Sequence, residues 1–319
     1  MRPRLLITRP LPAAVHDRAG VLFDLTIRDS AGPTRPAELA DALTEYDAIL
    51  PSLGDVFSRD VFSAVEAPRC RILANFGAGV NHIDLAAAAD AEIAVTNTPG
   101  AVTAPTADLA MMLLLMSARR AGEGERLVRS GQWRGWHPVE LLGDEVGART
   151  LGIVGMGRIG QEVARRATAG FGMEVLFHNR SPKRPPGPEA TQVPLDEVLG
   201  RSDFIVVTLP GGVGTRHLID AEALSLMRPH AHLINVSRGE VVDEAALIEA
   251  LREKRIAGAA LDVYEFEPEV PAALRERDDV VLLPHLGSAT RSAREAMGMT
   301  ALDNLKAFFG GGEPANRVA

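Results

Sequence analysis

The sequence contains a single cysteine, Cys70, among 319 residues. One cysteine excludes an intrachain disulfide and a cysteine-rich metal site, and it fits a protein that works in a reducing compartment. We expect Cys70 to be a small buried apolar residue beside a strand. No cluster of metal ligands stands out along the chain, so the sequence predicts no metal site.

Basic residues are outnumbered by acidic ones, 34 against 42, which leaves a formal net charge of -8. An acidic protein binds poorly to a nucleic-acid backbone or to an anionic membrane surface. The sequence therefore predicts no nucleic-acid partner and no membrane partner. Any basic binding site must be small and specific.

Long apolar runs are also missing. The longest is LAMMLLLM at residues 109–116, far below the roughly 18 residues that a membrane span needs, so it predicts a buried helix. The opening segment MRPRLLITRPL has a short apolar run that Arg9 and Pro10 interrupt, which is too little for the apolar core of a signal peptide. These features predict a cytoplasmic protein.

Hydrophobic residues make up 46% of the chain, enough for two domains with separate cores. Short, continuously apolar runs alternate with longer alanine- and leucine-rich segments, which predicts an α/β protein with parallel sheets covered on both faces. The strand-like runs are RLLIT, VLFDLT (residues 21–26), YDAIL, RILANF and EIAVTN, followed by TLGIVGMG, MEVLFHN, DFIVVTLP, AHLINVS, AGAALDVY and VVLLPHLG.

A helical segment at about residues 104–130 separates the two series of strands. It is apolar on nearly every side until ARRAGEGER makes it polar, so we expect it to pack between domains or between subunits. The last segment, residues 301–319, begins as an amphipathic helix and ends in glycines.

The stretch GIVGMGRIG places Gly155, Gly157 and Gly160 in Gly-x-Gly-x-x-Gly spacing between a strand and a helix. The first glycine permits a tight turn, the second lets a pyrophosphate approach the backbone, and the third lets helix and strand pack closely. Amides at the helix start then face the phosphates. The pattern predicts a dinucleotide site, and the strand MEVLFHN that follows disfavours a plain strand-to-helix turn.

The end of that second strand carries no acidic residue. Asn179 stands where an aspartate would bind the ribose hydroxyls of NAD, and Arg180, Ser181 and Lys183 follow it. A carboxylate would repel a 2′-phosphate, whereas these side chains could hold one through charge-assisted bonds. The local charge therefore favours NADP, with NAD still possible. The alternative is that Arg180, Lys183 and Arg184 form a solvated loop.

Later stretches each place a polar residue at the end of an apolar strand. NVSRGE offers Arg238, LDVYEFEP offers Asp262 and Glu267, and LLPHLGSAT offers His285. Ligands of open parallel sheets lie beyond the carboxyl ends of the strands, so these side chains could converge on one crevice.

The ordered set NFGAGVNHIDL, VTNTPGAVTAPTADLAMMLLL, GIVGMGRIG, NVSRGEVVDEAAL, LDVYEFEP and LLPHLGSAT resembles the successive signatures of the D-isomer-specific 2-hydroxyacid dehydrogenases, over residues 70–305. GQWRGWHPVELLG and the basic HNR are most similar to the glyoxylate and hydroxypyruvate reductase branch. The resemblance implies NADPH-dependent reduction of glyoxylate or hydroxypyruvate to the D-2-hydroxy acid.

The resemblance also implies the site residues. Arg238, Glu267 and His285 would be catalytic, and the backbone amides of Ala78 and Gly79, with Arg238 and His285, would bind the substrate. The implied cofactor-binding set is Thr106, Gly155, Gly157, Arg158, Ile159, Gly160, Asn179, Arg180, Ser181, Thr208, Val236, Asp262 and Gly287.

The chemistry of these side chains suits the implied roles. Arg238 can bind a carboxylate and polarise a carbonyl with its rigid fork of donors. His285 can donate a proton, and Glu267, if hydrogen-bonded to it, would orient the ring.

The family's architecture implies a flavodoxin-like substrate-binding domain of residues 1–98 and 288–319, with a Rossmann nucleotide domain of residues 99–287 inserted into it. It also implies a homodimer through the helix that starts near Ala104. Two segments depart from the family pattern, TLPGGVGTRHLI and the position of Asn81. Two alternatives stay open: an NAD-linked dehydrogenase for a bulkier 2-hydroxy acid, and a non-catalytic nucleotide-sensing corepressor.

Overall fold

The computed structural model describes residues 2–30, 32–183 and 190–319. The chain forms two compact units: unit 1 is Met1–Val102 with Ser288–Ala319, and unit 2 is Thr103–Gly287. The family resemblance implies domain boundaries after residues 98 and 287. In the part of the chain that is described, no helix is both long enough and apolar enough to cross a membrane.

Twelve strands are present in the described residues, all in parallel sheets. Their bounds are β1 (Arg4–Ile7), β2 (Asp24–Ile27), β3 (Ala48–Leu50), β4 (Ile72–Ala74), β5 (Ala94–Thr96), β6 (Thr150–Val154), β7 (Glu174–His178), β8 (Ala190–Gln192), β9 (Phe204–Val207), β10 (His232–Asn235), β11 (Gly258–Leu261) and β12 (Val280–Leu282).

The helices alternate with these strands along the chain. Their bounds are α1 (Ala13–Leu22), α2 (Pro36–Glu45), α3 (Arg59–Ser63), α4 (Leu85–Asp90), α5 (Thr103–Ala118), α6 (Ala121–Arg129), α7 (Arg158–Phe171), α8 (Leu195–Arg201), α9 (Ala221–Leu226), α10 (Glu244–Arg252), α11 (Ala272–Arg275) and α12 (Arg291–Phe309), with a 3₁₀ turn at Gly239–Val241.

Unit 1 has a parallel sheet in the order β2-β1-β3-β4-β5. Apolar side chains on both faces of this sheet form two cores, one under α1 and α12 and the other under α2, α3 and α4. Cys70 lies in the second core, and burial raises the pKa of its thiol to about 12. Its prediction as a buried residue is confirmed.

Unit 2 has a parallel sheet in the order β12-β11-β10-β9-β6-β7-β8. The order reverses between β6 and β9, which is the switch point where doubly wound sheets bind dinucleotides. Helices cover both faces, and each face has its own apolar core. The predicted α/β class with doubly wound parallel sheets is confirmed.

Three predicted elements differ from the structure. The helix predicted over residues 104–130 is two helices, because Arg120 takes a left-handed backbone (φ 50°) that ends α5, and Gly122 and Gly124 follow in α6. The strand predicted over residues 21–26 begins only at Asp24, since Val21 and Leu22 complete α1. The last helix begins at Arg291, ten residues before the segment that predicted it, because Thr290 caps it.

Candidate active site

The glycine-rich turn joins β6 to α7 at the switch point of unit 2. A β-carbon placed on Gly155 would lie 2.8 Å from Leu209, and one on Gly160 would lie 2.5 Å from the Gly155 oxygen, so both glycines are required by packing. A β-carbon on Gly157 would meet nothing within 4 Å. Thr208 donates a hydrogen bond to the Gly155 oxygen at 2.6 Å. The turn is therefore rigid and leaves open space in front of the helix N-terminus.

This turn suits a dinucleotide. Gly157 caps α7, and Arg158 and Ile159 form the first helical turn, with the Arg158 side chain exposed. A helix N-terminus presents unpaired amides that favour phosphate groups. The residues present therefore fit the pyrophosphate of a nicotinamide dinucleotide.

Asn179 follows β7, beside the glycine-rich turn. Its side-chain oxygen accepts a hydrogen bond from the Met156 amide at 2.7 Å. That bond ties the strand end to the turn and uses one of the Asn179 polar atoms. The sequence from His178 to Lys183 contains no carboxylate.

Gln192, on β8, fixes the loop that contains the basic residues. Its amide nitrogen donates to the carbonyls of Asn179 and Ser181, each at 3.2 Å, and its oxygen accepts the Lys183 amide at 2.8 Å. Arg180 is exposed. The predicted residue Arg184 lies outside the described residues.

His285 and Glu267 form a hydrogen-bonded pair in unit 2. The His285 Nδ1 atom lies 2.8 Å from Glu267 Oε2, and Glu267 Oε1 accepts the Tyr264 amide at 3.1 Å. Burial acts to raise the pKa of Glu267, but the hydrogen bond and charge of His285, the Tyr264 amide and the Arg238 charge outweigh it, so this pKa lies below its usual value. Glu267 is therefore an ionised carboxylate that orients the imidazole through Nδ1. The other ring nitrogen, Nε2, takes no part in this pair.

Asp262 fixes the backbone on which His285 sits. Its two carboxylate oxygens accept the amides of Leu286 and Gly287 at 2.6 and 2.8 Å, and its carbonyl accepts the His285 amide at 2.9 Å. Thr106 donates to the Gly287 oxygen at 3.0 Å. Two predicted cofactor residues, Thr106 and Asp262, are therefore both hydrogen-bonded to a third, Gly287. Burial is the main cause of the raised pKa of Asp262.

Arg238 follows β10 on a turn that Asn235 shapes. The Asn235 side chain donates to the Arg238 carbonyl at 3.0 Å and accepts from the Ser237 amide at 3.0 Å. A β-carbon on Gly239 would lie 1.8 Å from the Tyr264 carbonyl carbon, so only glycine lets this turn lie against the segment that leads to Glu267. Burial lowers the pKa of Arg238, and the negative charges of Glu267 and Glu240 oppose that effect.

The segment GGVG, which departs from the family pattern, packs against Arg238. A β-carbon on Gly211 would lie 2.8 Å from the Arg238 Cγ atom. The Gly212 amide donates to Glu240 at 2.7 Å. The segment thus forms a wall of the Arg238 environment. The buried residue Val236 directly follows β10, two residues before Arg238.

In unit 1, the loop of residues 76–79 follows β4 and turns its carbonyls inward. The side chain of Asn75, which is fully buried, donates to the Gly77 and Gly79 oxygens at 3.0 and 2.9 Å, and Asn97 donates to the Ala78 oxygen at 2.8 Å. Among the described residues, no acceptor takes the amide of Ala78 or Gly79. Two unpaired amides on a fixed loop can bind an anion such as a carboxylate.

The comparisons with known proteins agree with this geometry. The model of the family described as "D-isomer specific 2-hydroxyacid dehydrogenase, NAD binding domain" matches residues 111–287, most of unit 2. The chain belongs to that family. Its predicted membership is confirmed, and unit 2 contains its NAD-binding Rossmann domain.

Relatives of this dehydrogenase cover its whole length. The glyoxylate reductase of Thermococcus onnurineus (strain NA1) is 43% identical over 324 residues, which span 100% of this chain and 96% of that protein. The glyoxylate reductase of Pyrococcus furiosus is 42% identical with the same coverage.

Solved structures show the same fold as this dehydrogenase. A protein of Thermus thermophilus has a TM-score of 0.91 and 40% identity, over 99% of this chain and 100% of that one. The NADPH-dependent glyoxylate/hydroxypyruvate reductase of Sinorhizobium meliloti, in complex with NADP and malonate, has a TM-score of 0.88 and 37% identity over 100% of this chain and 97% of that one.

Several structural residues of this dehydrogenase were not predicted. Asn75, Asn235 and Gln192 each orient a loop that carries a predicted site residue. The signal for the first two is weak but present, since each asparagine directly follows or ends an apolar strand. Gln192 has no signal in the sequence because its strand, β8, is only three residues long.

Proposed function

We propose that the protein reduces glyoxylate or hydroxypyruvate to the D-2-hydroxy acid with NADPH. The observation that carries this proposal is the His285–Glu267 hydrogen bond at 2.8 Å, with the half-buried Arg238 near the same carboxylate, in a chain of the 2-hydroxyacid dehydrogenase family. Full-length similarity to glyoxylate reductases supports the substrate.

The residues of this chain would supply a proton and fixed positive charge. Bound reduced nicotinamide supplies the hydride that reduces the carbonyl carbon. Glu267 occupies Nδ1 of His285, so Nε2 is the atom that would donate the proton to the carbonyl oxygen. Arg238 would hold the carboxylate and, with His285, meet negative charge as it develops on that oxygen.

The amides of Ala78 and Gly79 would contribute to substrate binding from unit 1. Their carbonyls are held inward by Asn75 and Asn97, which leaves the N–H groups for an anion. The loop therefore suits the C1 carboxylate of a 2-oxo acid.

NADP is the proposed cofactor, with NAD as the weaker alternative. Asn179 brings no negative charge to the strand end, and the exposed Arg180 beside Ser181 and Lys183 suits a 2′-phosphate. The relative from Sinorhizobium meliloti, which is named NADPH-dependent, was crystallised with NADP.

A substrate screen with both nucleotides tests the activity. Glyoxylate and hydroxypyruvate should oxidise NADPH at a readily measured rate, and His285→Ala should lower kcat by about 10²–10⁴-fold with nucleotide affinity retained. If no 2-oxo acid drives oxidation of either nucleotide, the protein is not a reductase. That result would favour the alternative of a non-catalytic, nucleotide-sensing corepressor. A preference for a bulkier substrate with NADH would favour the alternative of an NAD-linked dehydrogenase for a bulkier 2-hydroxy acid.

Arg180→Ala tests the cofactor choice. The Kd for NADPH should rise by about tenfold or more, because a charge-assisted bond to phosphate is lost, while the Kd for NADH changes little. Arg201→Ala, at an exposed arginine on α8 in the same unit, is the control and should change neither. An equal loss of affinity for both nucleotides in Arg180→Ala would show that the loop is solvated and does not bind the 2′-phosphate.

A homodimer through α5, the helix that starts near Ala104, is also proposed. The residues after it expose large apolar side chains, with Trp136 84% and Val139 66% accessible, and Met112 on α5 is 40% accessible. A second copy would cover such a surface. Light scattering should give about twice the chain mass of 34.0 kDa; a value for one chain would contradict the dimer.

The cytoplasmic location stays a prediction.

A further inference from the structure

The loop after β4 in unit 1 is fixed through its carbonyl groups, and one of them depends on a single side chain. The Gly77 oxygen accepts hydrogen bonds from the Thr98 amide at 2.9 Å and from the Asn75 side chain at 3.0 Å. The Gly79 oxygen accepts only from the Asn75 side chain, at 2.9 Å, among the donors of the described residues. The direction of the Gly79 carbonyl is therefore set by Asn75.

The direction of each carbonyl also sets the direction of the amide that follows it. In a trans peptide unit the C=O and the N–H of the next residue point in opposite directions, and the peptide units of residues 77–80 are trans. Carbonyls held inward over residues 77–79 therefore leave three successive amides, those of residues 78–80, facing the other way. In the part of the chain that is described, no acceptor takes any of the three. Successive amides of this kind form an anion-binding concavity.

Asn75 has one favourable orientation because the two ends of its amide group differ. Nδ2 must face the Gly77 and Gly79 oxygens, since Oδ1 in that place would meet two acceptors. Oδ1 then faces His82, whose Nε2 atom lies 3.0 Å away. Because Oδ1 only accepts, His82 must donate through Nε2–H. His82 thus keeps the donor end of the fully buried Asn75 directed at the loop.

The backbone around His82 is held by Phe57. The His82 oxygen accepts the Phe57 amide at 2.9 Å, and the Phe57 oxygen accepts the Asp84 amide at 2.8 Å. Phe57 is fully buried in the core under α2, α3 and α4. Asp84 caps α4 by accepting the Ala87 amide at 2.9 Å. The imidazole therefore extends from a fixed segment and can act as an anchor for Asn75.

Loss of the His82 bond would affect more than one buried oxygen. The terminal torsion of an asparagine side chain is broad and nearly two-fold, so without His82 only the loop carbonyls orient the Asn75 amide. The buried Oδ1 atom would then lack a donor, which favours other orientations of the side chain. In the reversed orientation Oδ1 faces the Gly79 oxygen and repels it, which turns the following amide away from its place in the loop.

We propose that His82 is a positioning residue for substrate binding: acting through Asn75, it holds the loop so that the amides of residues 78–80 bind the carboxylate of the 2-oxo acid. This inference rests on the proposed function. It adds the Val80 amide to the two amides already assigned, and it names the side chain that sets their direction.

His82→Met tests the inference, because methionine has no N–H donor but fills much of the same volume. KM for glyoxylate and hydroxypyruvate should rise by about tenfold or more, since a buried acceptor loses its donor and the amides lose their direction. kcat and the Kd for NADPH should stay nearly unchanged, as expected when an interaction equally strong in the ground and transition states is lost. Oxalate, an unreactive two-carbon dicarboxylate, should lose affinity by a similar factor in calorimetry.

Two further variants separate positioning from folding. His82→Gln keeps an N–H donor at a similar distance from the backbone and should restore most of the wild-type KM. His16→Met is the matched control: His16 is a half-buried histidine of unit 1 whose Nε2 accepts the Leu11 amide at 2.8 Å. This control should lower the thermal unfolding midpoint and leave KM and oxalate affinity unchanged. If His82→Met does not fold, His82→Asn, whose shorter amide cannot reach Asn75, replaces it.

The inference and the proposed function fail in different ways. Wild-type KM and oxalate affinity in His82→Met, even with a lower unfolding midpoint, would overturn the inference alone, because the role of His82 would then be structural. A His82→Gln variant as impaired as His82→Met would overturn it as well. Wild-type protein that reduces no 2-oxo acid but binds oxalate in a His82-dependent way would contradict the proposed function alone. Wild-type protein that neither reduces a 2-oxo acid nor binds oxalate would contradict both.

Discussion

The His285 side chain is held from two directions. Its backbone has φ 55°, unusual for a residue with a side chain, and the Asp262 carbonyl accepts its amide while the Asp262 carboxylate binds the next two amides. Glu267 then fixes the ring through Nδ1. A proton donor fixed in this way loses little freedom when substrate binds, which is how a preorganised site lowers a barrier.

Glu267→Gln tests the value of that fixed, charged partner. Glutamine keeps the size of the side chain but loses the charge and one of the two acceptors used by His285 and Tyr264. We expect kcat for 2-oxo acid reduction to fall by about 10–100-fold, with the Kd for NADPH unchanged. Glu269→Gln, at an exposed neighbour, is the control. Normal kcat in Glu267→Gln would remove Glu267 from the proposed mechanism.

Individual site residues could be predicted only in part from the sequence. Arg238, Glu267 and His285 stand out because each is a polar residue that follows an apolar strand, and the resemblance implied their catalytic roles. The partners of Asp262 could not be predicted, because its sequence neighbours do not reveal which amides its buried carboxylate accepts. The same holds for Asn75, whose contacts depend on the turn of the loop that follows it.

At the scale of elements, apolar runs predicted the strands well because parallel strands are buried on both faces. The periodicity could not predict that residues 104–130 form two helices, since the break depends on the left-handed backbone of Arg120.

The amino end of β10 shows a further contact between elements: His232 Nδ1 lies 2.8 Å from the Ser117 hydroxyl on α5, and the ring stacks on Phe204.

This buried histidine predicts acid sensitivity in unit 2. Burial is the main cause that lowers the pKa of His232, and His230 adds to it, while Asp144 and Asp279 act in the opposite direction. Since the folded-state pKa is lower than the unfolded value of about 6.5, the unfolded chain binds the proton more readily. The stabilisation is complete above that unfolded value and is lost as the pH falls below it, down to the folded-state pKa.

His232→Leu removes the titrating group and isolates this effect. Between about pH 8 and about pH 5.5, the thermal unfolding midpoint of the wild-type protein should fall by about 2–4 °C more than that of the variant. His137→Leu, at an exposed histidine, should keep the wild-type pH dependence. Parallel pH dependence in wild type and His232→Leu would show that the pKa of this imidazole is the same in the folded and the unfolded protein.

At the scale of the whole molecule, the two units are built differently along the chain. Unit 2 is continuous, and both faces of its sheet are covered by side chains of its own. Unit 1 is made of two distant segments, because α12 completes one of its cores. A continuous segment with a complete core meets the usual requirements for folding alone, whereas a discontinuous one needs both pieces.

We therefore expect residues 103–287, produced alone, to fold and to bind NADPH. The glycine-rich turn, Asn179 and the basic loop all lie within this segment, so the Kd for NADPH should stay within about tenfold of the full-length value, while 2-oxo acid reduction should be lost. Residues 1–102 produced alone lack α12, which leaves Val15 and its neighbours in the α1 core exposed, and should not fold cooperatively. Circular dichroism, thermal unfolding and nucleotide titration of both fragments measure this. A segment 103–287 that unfolds without a cooperative transition, or that does not bind NADPH, would show that the nucleotide site depends on residues of unit 1.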